Sequence, residues 1–190
     1  MLARTAVAIL GFCGVAGALF GLPGCGQVQR PDGGKGLLAE GAVAPDVLAE
    51  DAHGKPTTLS SMHGHPVVVY FYPKDGTPGC TKEACAFRDS WKKLNDAQVE
   101  VIGVSTGSAA AHREFRSAHH LPFPLTADES GAVGAAFGVT KHLWGYDRVS
   151  FLIDKNGKVA KVWPDVDPAI HADDVLRAAT SLPNVSSGRD

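Results

Sequence analysis

The stretch that most constrains this chain is Val67-Val68-Val69-Tyr70-Phe71-Tyr72, followed at once by Pro73-Lys74-Asp75-Gly76-Thr77-Pro78-Gly79-Cys80. An uninterrupted run of β-branched and aromatic residues has no polar face. It suits a strand buried on both sides in the middle of a sheet. The Pro and Gly residues after it end the strand sharply, and Cys80 then falls in the first turn of a helix. That helix is expected from about Cys80 to Ala97, with Trp91 and Leu94 spaced to face inward.

The rest of the chain supplies partners for such a strand. Val99 to Ser105 is a second buried run, and Ala109 to His119 is an Ala-rich helix carrying Phe115, broken by Leu121-Pro122-Phe123-Pro124. Asp128 to Phe137 is expected as a short helix ending near Gly138. Arg148 to Asp154 and Lys158 to Trp163 flank Asn156-Gly157, a strong two-residue hairpin signal. A closing helix is expected from Asp167 to Leu182, and upstream His53-Gly54-Lys55 reads as a turn with Pro56 to Leu59 as a short returning strand. The order of elements predicts an α/β domain, a mixed central β-sheet flanked by helices. At 190 residues the chain is long enough for one well-packed domain and hardly for two. The formal charge of −2, with no Lys/Arg-rich run, excludes an electrostatic case for a nucleic-acid partner.

The N-terminus is different in kind. After Arg4 the chain is almost wholly apolar from Ala6 to Leu22, the layout of an export signal. Leu22-Pro23-Gly24-Cys25 resembles the lipobox of bacterial lipoproteins, which implies cleavage after residue 24 and a lipid on the Cys25 sulfur. An ordinary signal peptide cut elsewhere, or an uncleaved anchor, stays open, since about 20 apolar residues span a bilayer. The expected organisation is a signal at 1–24, a Gly-rich flexible tether at 25–40, a domain at 41–182 and a disordered tail at 183–190. The folded part is expected outside the cytosol, held to a membrane by the lipid, or else secreted or periplasmic.

The chain has 4 cysteines. Cys13 lies in the signal and Cys25 at its end, so Cys80 and Cys85 are the thiols of the domain. One pair is too sparse for a disulfide-stapled scaffold, which points to chemistry. Cysteine attacks as its thiolate, and the free N–H groups and dipole of a helix N-terminus stabilise that anion. Thr77-Pro78-Gly79-Cys80 places the sulfur at such an end, with the Thr77 hydroxyl able to turn to the same point. From the turn alone, a small buried hydrophobe is an equal reading of Cys80.

The segment PKDGTPGCTKEACAFRD, residues 73–89, resembles the active-site signature of peroxiredoxins, and is most similar to the peroxiredoxin Q or bacterioferritin comigratory protein type. Residues 41–75, VEVIGVS at 99–105, HHLPFPLTADES at 119–130 and DRVSFLIDKNGKV at 147–159 resemble that family's other blocks in the right order. The likeness covers residues 41 to about 180. It implies a thioredoxin-like fold and a thiol-dependent peroxidase for hydrogen peroxide or organic hydroperoxides, serving antioxidant defence. It further implies that Cys80 is the peroxidatic cysteine, oxidised to a sulfenic acid. By the same likeness Thr77 hydrogen-bonds the thiolate and the peroxide, and Arg148 stabilises the thiolate and the leaving oxygen. Pro73 shields the sulfur from water. A thioredoxin-like or other thiol reductant would recycle the enzyme. A monomer is expected, with no cofactor and no metal. The family often carries Asp where Gly107 stands in Ser105-Thr106-Gly107-Ser108, from which only a local structural effect is expected.

Five residues along an α-helix rise about 7.5 Å and rotate about 140°. That separation exceeds the disulfide reach of about 4.4–6.8 Å between Cα atoms, so Cys80 and Cys85 cannot pair while the helix is intact. A resolving role for Cys85 therefore requires the first turns of the helix to unwind; an inert Cys85 in a one-cysteine enzyme is the alternative. A protein thiol–disulfide oxidoreductase would favour C-x-x-C, and a thiol-based metal binder would not need Thr77, Pro73 or Arg148. His63, His65, His119 and His120 match no zinc spacing and read as solvated loop residues. Asp128 and Glu129 read as a helix start. Trp144 and Tyr146 either line the substrate entrance or pack.

Overall fold

The computed structural model describes residue 30, residues 32–50 and residues 55–183. In chain order the strands and helices are β1 (Leu48–Glu50), β2 (Pro56–Thr58), β3 (Val67–Phe71), α1 (Pro78–Asp89), α2 (Trp91–Asp96), β4 (Glu100–Ser105) and α3 (Ala109–His119). They continue with β5 (Leu125–Ala127), α4 (Ala132–Phe137), β6 (Lys141–His142), β7 (Gly145–Tyr146), β8 (Val149–Ile153), β9 (Val159–Trp163) and α5 (His171–Thr180). The main sheet has the order β2-β1-β5-β4-β3-β8-β9, and β6 and β7 form a separate hairpin. β3 runs parallel to β4 and antiparallel to β8, so the sheet is mixed and β3 lies inside it.

The alternation of side chains along β3 explains why it is apolar throughout. Val68, Tyr70 and Tyr72 share one core with Ala84 and Phe87 of α1, Phe115 of α3 and Val175 of α5. Val67, Val69 and Phe71 share the opposite core with Phe137 of α4, Tyr146 and Phe151. Both faces are covered, which is the expected α/β layering. Burying each Val or Phe here contributes about 1.5–3 kcal/mol, and so fixes the strand whose end carries the turn into α1.

Several boundaries differ from expectation for local reasons. The helix expected over residues 80–97 starts at Pro78, a residue preorganised for the first helical position, and divides at Ser90 into α1 and α2. The break lets both predicted inward residues turn to the core: Leu94 is fully buried, and the Trp91 ring lies tilted against Phe123 with 6.0 Å between centroids. α4 begins at Ala132 rather than Asp128. Asp128 instead caps the turn, accepting from the Gly131 amide at 3.0 Å and the Gly134 amide at 2.8 Å. α5 begins at His171. β5 and the β6–β7 hairpin go beyond the expected elements: two prolines precede the first, and the second is only a few residues long.

The tether expected over residues 25–40 is shorter than proposed. The Leu38 amide donates to the Phe137 carbonyl at 2.9 Å, and the Leu38 side chain is buried in the Phe137 core. Glu40 accepts from the Val162 amide at 3.1 Å. The chain is thus already docked before Gly41. The expected export signal, Cys13, Cys25, His53 and Gly54 of the expected turn and the tail from residue 184 lie outside the described residues. Among the described residues no helix is long and apolar enough to cross a membrane.

Candidate active site

The site is built where β3 hands over to α1. Thr77 is the last extended residue, Pro78 and Gly79 open the helix, and Cys80 follows within the first turn, where backbone N–H groups lack helical partners. The Cys80 side chain is 1% exposed. Arg148, which enters β8 from the other side of β3, brings Nη2 to 3.4 Å from the Cys80 sulfur. A side chain at Gly79 would have its Cβ 3.2 Å from that Nη2, so a small residue there leaves the guanidinium its approach.

The other arm of the guanidinium, Nη1, donates to Oε2 of Glu83, which is fully buried. Burial pushes the Glu83 carboxyl up to about 7, against the downward pull of Arg148. Its second oxygen, Oε1, has no hydrogen-bond partner and lies 4.0 Å from Nε2 of buried His171. That imidazole shares a 2.9 Å hydrogen bond with the Ser150 hydroxyl, and burial together with the Arg148 charge lowers it to about 4. Glu83 and His171 did not emerge from the sequence reading. The signal for Glu83 was available: it stands three residues after Cys80 and therefore on the same helix face.

Three comparisons agree with this geometry. The AhpC/TSA family profile matches residues 41–162. The chain belongs to the AhpC/TSA family. It is 43% identical to the chloroplastic peroxiredoxin Q of Oryza sativa subsp. japonica over 150 residues, 77% of this chain and 69% of that protein. Among solved structures, peroxidoxin BcpB from Mycobacterium tuberculosis matches with a TM-score of 0.71 and 34% identity, over 77% of this chain and 99% of that one. Xanthomonas campestris peroxiredoxin Q matches with a TM-score of 0.66 and 35% identity, over 70% of this chain and 89% of that one. The expected thioredoxin-like fold is therefore present, and the chain is a peroxiredoxin of the Q type, a thiol-dependent peroxidase.

In this peroxiredoxin the remaining candidates take definite places. The Thr77 hydroxyl donates to the Lys74 carbonyl at 3.1 Å, so its lone pairs, not its proton, are left for other partners. Pro73 is half-buried, and its carbonyl abuts Gly145 at the start of β7. Any Cβ at Gly145 would come within 1.8 Å of that oxygen, and the φ of +118° there also favours glycine. Cys85 is a free, half-buried thiol within the continuous helix α1, one and a half turns beyond Cys80. Tyr146 packs rather than lining an entrance: it is fully buried, edge-on to Phe71 at 5.4 Å, and its hydroxyl donates to Asp128 at 2.5 Å. Trp144 is 66% exposed and stacks on His142 with 4.6 Å between ring centroids. Of the four histidines weighed as ligands, His119 lies edge-on to Phe115 at 5.0 Å and His120 closes α3 in the left-handed conformation. No cluster of three or more His, Cys, Asp or Glu side chains suited to a metal occurs among the described residues.

Proposed function

We propose that Cys80 is the peroxidatic cysteine and Cys85 its resolving partner. The Cys80 thiolate attacks the terminal oxygen of a hydroperoxide. The S–O bond forms as the O–O bond breaks, Cys80 becomes a sulfenic acid, and the departing alkoxide or hydroxide takes up a proton. Arg148 serves two stages. Its Nη2–H steadies the sulfur anion before attack and is close enough to donate to the oxygen that gains charge as the O–O bond lengthens. Because Thr77 gives its proton to Lys74, its oxygen is an acceptor for the peroxide O–H, which orients the substrate toward the sulfur. Pro73, held by its contact with Gly145, keeps bulk water from the site.

Cys85 then attacks the sulfenic sulfur, forming the disulfide and releasing water. Since both residues lie on α1, this step requires the first turns of the helix to open. A thioredoxin-like dithiol returns the two electrons. The observation that carries this reading is the 3.4 Å contact between Arg148 Nη2 and a buried thiol at the start of a helix. A metal-binding thiol pair has no use for that contact, and a protein thiol–disulfide oxidoreductase would favour C-x-x-C over the C-x-x-x-x-C spacing of Cys80 and Cys85. Replacing Thr77 with Val separates the readings: peroxide reduction falls steeply for a peroxidase, whereas thiol-dependent metal binding is unchanged.

For placement in the cell, we propose export with a lipid on Cys25, which would hold a monomeric domain at a membrane face. Support comes from the apolar stretch Ala6 to Leu22 followed by Leu22-Pro23-Gly24-Cys25. Incorporation of labelled fatty acid that persists in a Cys25→Ser protein would overturn this placement.

A further inference from the structure

A second polar cluster lies behind the catalytic loop and takes no part in the steps at Cys80. Asp75 sits in the middle of the loop between β3 and α1, two residues before Thr77. Its Oδ1 accepts from the Tyr72 hydroxyl at 2.8 Å, and its Oδ2 is 2.6 Å from Nδ1 of His112 on α3. The His112 and Asp75 side chains are only 4% and 12% exposed. The other ring nitrogen of His112, Nε2, lies 3.0 Å from the Thr126 carbonyl of β5 and 3.5 Å from the Ser105 hydroxyl of β4. A carbonyl only accepts, so Nε2 carries a proton, and Nδ1 and the Asp75 carboxylate hold another between them. One imidazole thus ties the catalytic loop to α3 and β5.

Gly107 belongs to the same cluster. A Cβ at this position would lie 3.0 Å from His112 Cε1, 3.1 Å from Asp75 Oδ2 and 3.3 Å from His112 Nδ1. Its φ is not in the left-handed range, so backbone conformation does not demand glycine there. Space is tight instead: a Cβ there would require the Asp75–His112 pair to give by a few tenths of an ångström. The Gly107 amide also donates to the Ser105 hydroxyl at 3.2 Å, which anchors the turn after β4 against the pair. The loop held in this way contains the two contacts that set the site. The Lys74 carbonyl next to Asp75 takes the Thr77 proton, and the Pro73 carbonyl sets the approach of Gly145.

We propose that Asp75 and His112 are positioning residues for the peroxide reaction, clamping the 73–77 loop so that Thr77 faces the Cys80 sulfur, and that a side chain at residue 107 presses on this clamp. The proposal rests on Cys80 as the reacting thiol. Small displacements of an orienting group are costly: a shift of about 1 Å can cost about a hundredfold in rate.

The test is a double-mutant cycle on the full-length protein, reading the second-order rate of Cys80 oxidation by hydrogen peroxide in a single turnover without reductant. His112→Ala and Gly107→Ala are each expected to slow this step roughly tenfold, and the double variant is expected to be no slower than His112→Ala alone. Asp75→Asn is expected to stay near the wild-type rate while Asp75→Ala does not. The amide can donate to Nδ1 of a neutral ring and still accept from Tyr72, so the clamp survives without its charge. Wild-type rates in all variants would overturn the proposal, as would equal slowing by Gly107→Ala in both backgrounds, or Asp75→Asn as slow as Asp75→Ala. Failure of the underlying reading looks different: the Cys80→Ser protein would still consume peroxide, whatever the clamp variants do.

Discussion

Cys80 and Glu83 stand three residues apart on one face of α1 and meet the same guanidinium, Arg148 giving Nη2 to the sulfur and Nη1 to the carboxylate. The buried carboxylate fixes one arm of the fork, and so fixes where the other arm points. A planar group with two parallel donors can do this, whereas a lysine ammonium on a flexible stem cannot hold both partners in one geometry. Arg148→Lys, which keeps the charge, is therefore expected to slow Cys80 oxidation by roughly a hundredfold, the usual cost of losing one preorganised donor to a developing anion. Stopped-flow oxidation of the reduced protein checks this, and a rate within twofold of wild type would remove the bridging role.

Stability should depend on pH through the same carboxylate. Burial holds the Glu83 carboxyl at about 7 in the folded protein against an ordinary value of 4.5. A raised carboxyl favours folding only while it is protonated, so its contribution is complete below about 4.5 and is lost as the pH rises through about 7. The amount at stake is on the order of 3 kcal/mol. His171 works in the opposite direction. Its imidazole is lowered from 6.5 to about 4, so its contribution is present above 6.5 and is lost as the pH falls toward 4. Glu83→Gln deletes only the first effect. In urea unfolding, the stability of this variant relative to wild type is expected to shift in its favour between pH 5 and pH 7.5. An unchanged difference at the two pH values would contradict the assignment.

Forming the Cys80–Cys85 bond must cost helix. Both residues lie within Pro78–Asp89, and the buried face of that helix includes Cys80, Glu83, Ala84 and Phe87. Unwinding its start withdraws Glu83 from Arg148, so the oxidised protein is expected to lose amide protection over residues 78–86 while β3 and β4 keep theirs. Hydrogen exchange with and without one equivalent of peroxide measures this. In Cys85→Ser the protection should persist after oxidation, because the sulfenic acid has no partner on the helix.

Gly145 carries a backbone rather than a side-chain constraint. Its Cβ would lie 1.8 Å from the Pro73 carbonyl, and neither backbone can yield without moving the catalytic loop or the β6–β7 hairpin. Gly145→Ala is expected to destabilise the protein by more than roughly 2 kcal/mol. The slowing of Cys80 oxidation should exceed that from an alanine at Gly64, where no atom lies within 4 Å of the added Cβ although φ is likewise positive. Equal effects at the two positions would show that φ alone matters.

How much of this was legible beforehand depends on range. The doubly apolar run of β3, the hairpin at Asn156-Gly157 and the placing of Cys80 at a helix start are local signals, and each appears where local physics puts it. The turn itself is wider than the expected two residues: the Asp154 amide donates to the Lys158 carbonyl at 2.7 Å, so Lys155, Asn156 and Gly157 form the loop, and of these only Gly157, at φ +78°, is left-handed. The division of the long helix at Ser90 was not legible, because it serves the packing of Trp91 on Phe123, a residue far along the chain. Docking of Leu38 on Phe137 was hidden for the same reason, inside a stretch whose glycines suggest a tether. At the site, Cys80 and Arg148 meet at 3.4 Å as the resemblance implies, whereas the spacing of Glu83 from Cys80 gives a shared helix face but not its burial, and His171 carries no local signal. Nothing in a sequence says that a glutamate on a surface-like helix segment will be buried whole; only the arrival of Arg148 from β8 makes that burial possible.

The central claim is that Cys80 takes oxygen from a peroxide and Cys85 removes it. Its most direct test is one equivalent of hydrogen peroxide added to the reduced protein, with residual peroxide and cysteine-containing peptides measured together, for wild type and for Cys80→Ser. Peroxide loss with a Cys80–Cys85 crosslinked peptide is expected in wild type, and neither in Cys80→Ser. Peroxide consumption that continues in Cys80→Ser, or wild-type turnover with no Cys80–Cys85 crosslink, would contradict it.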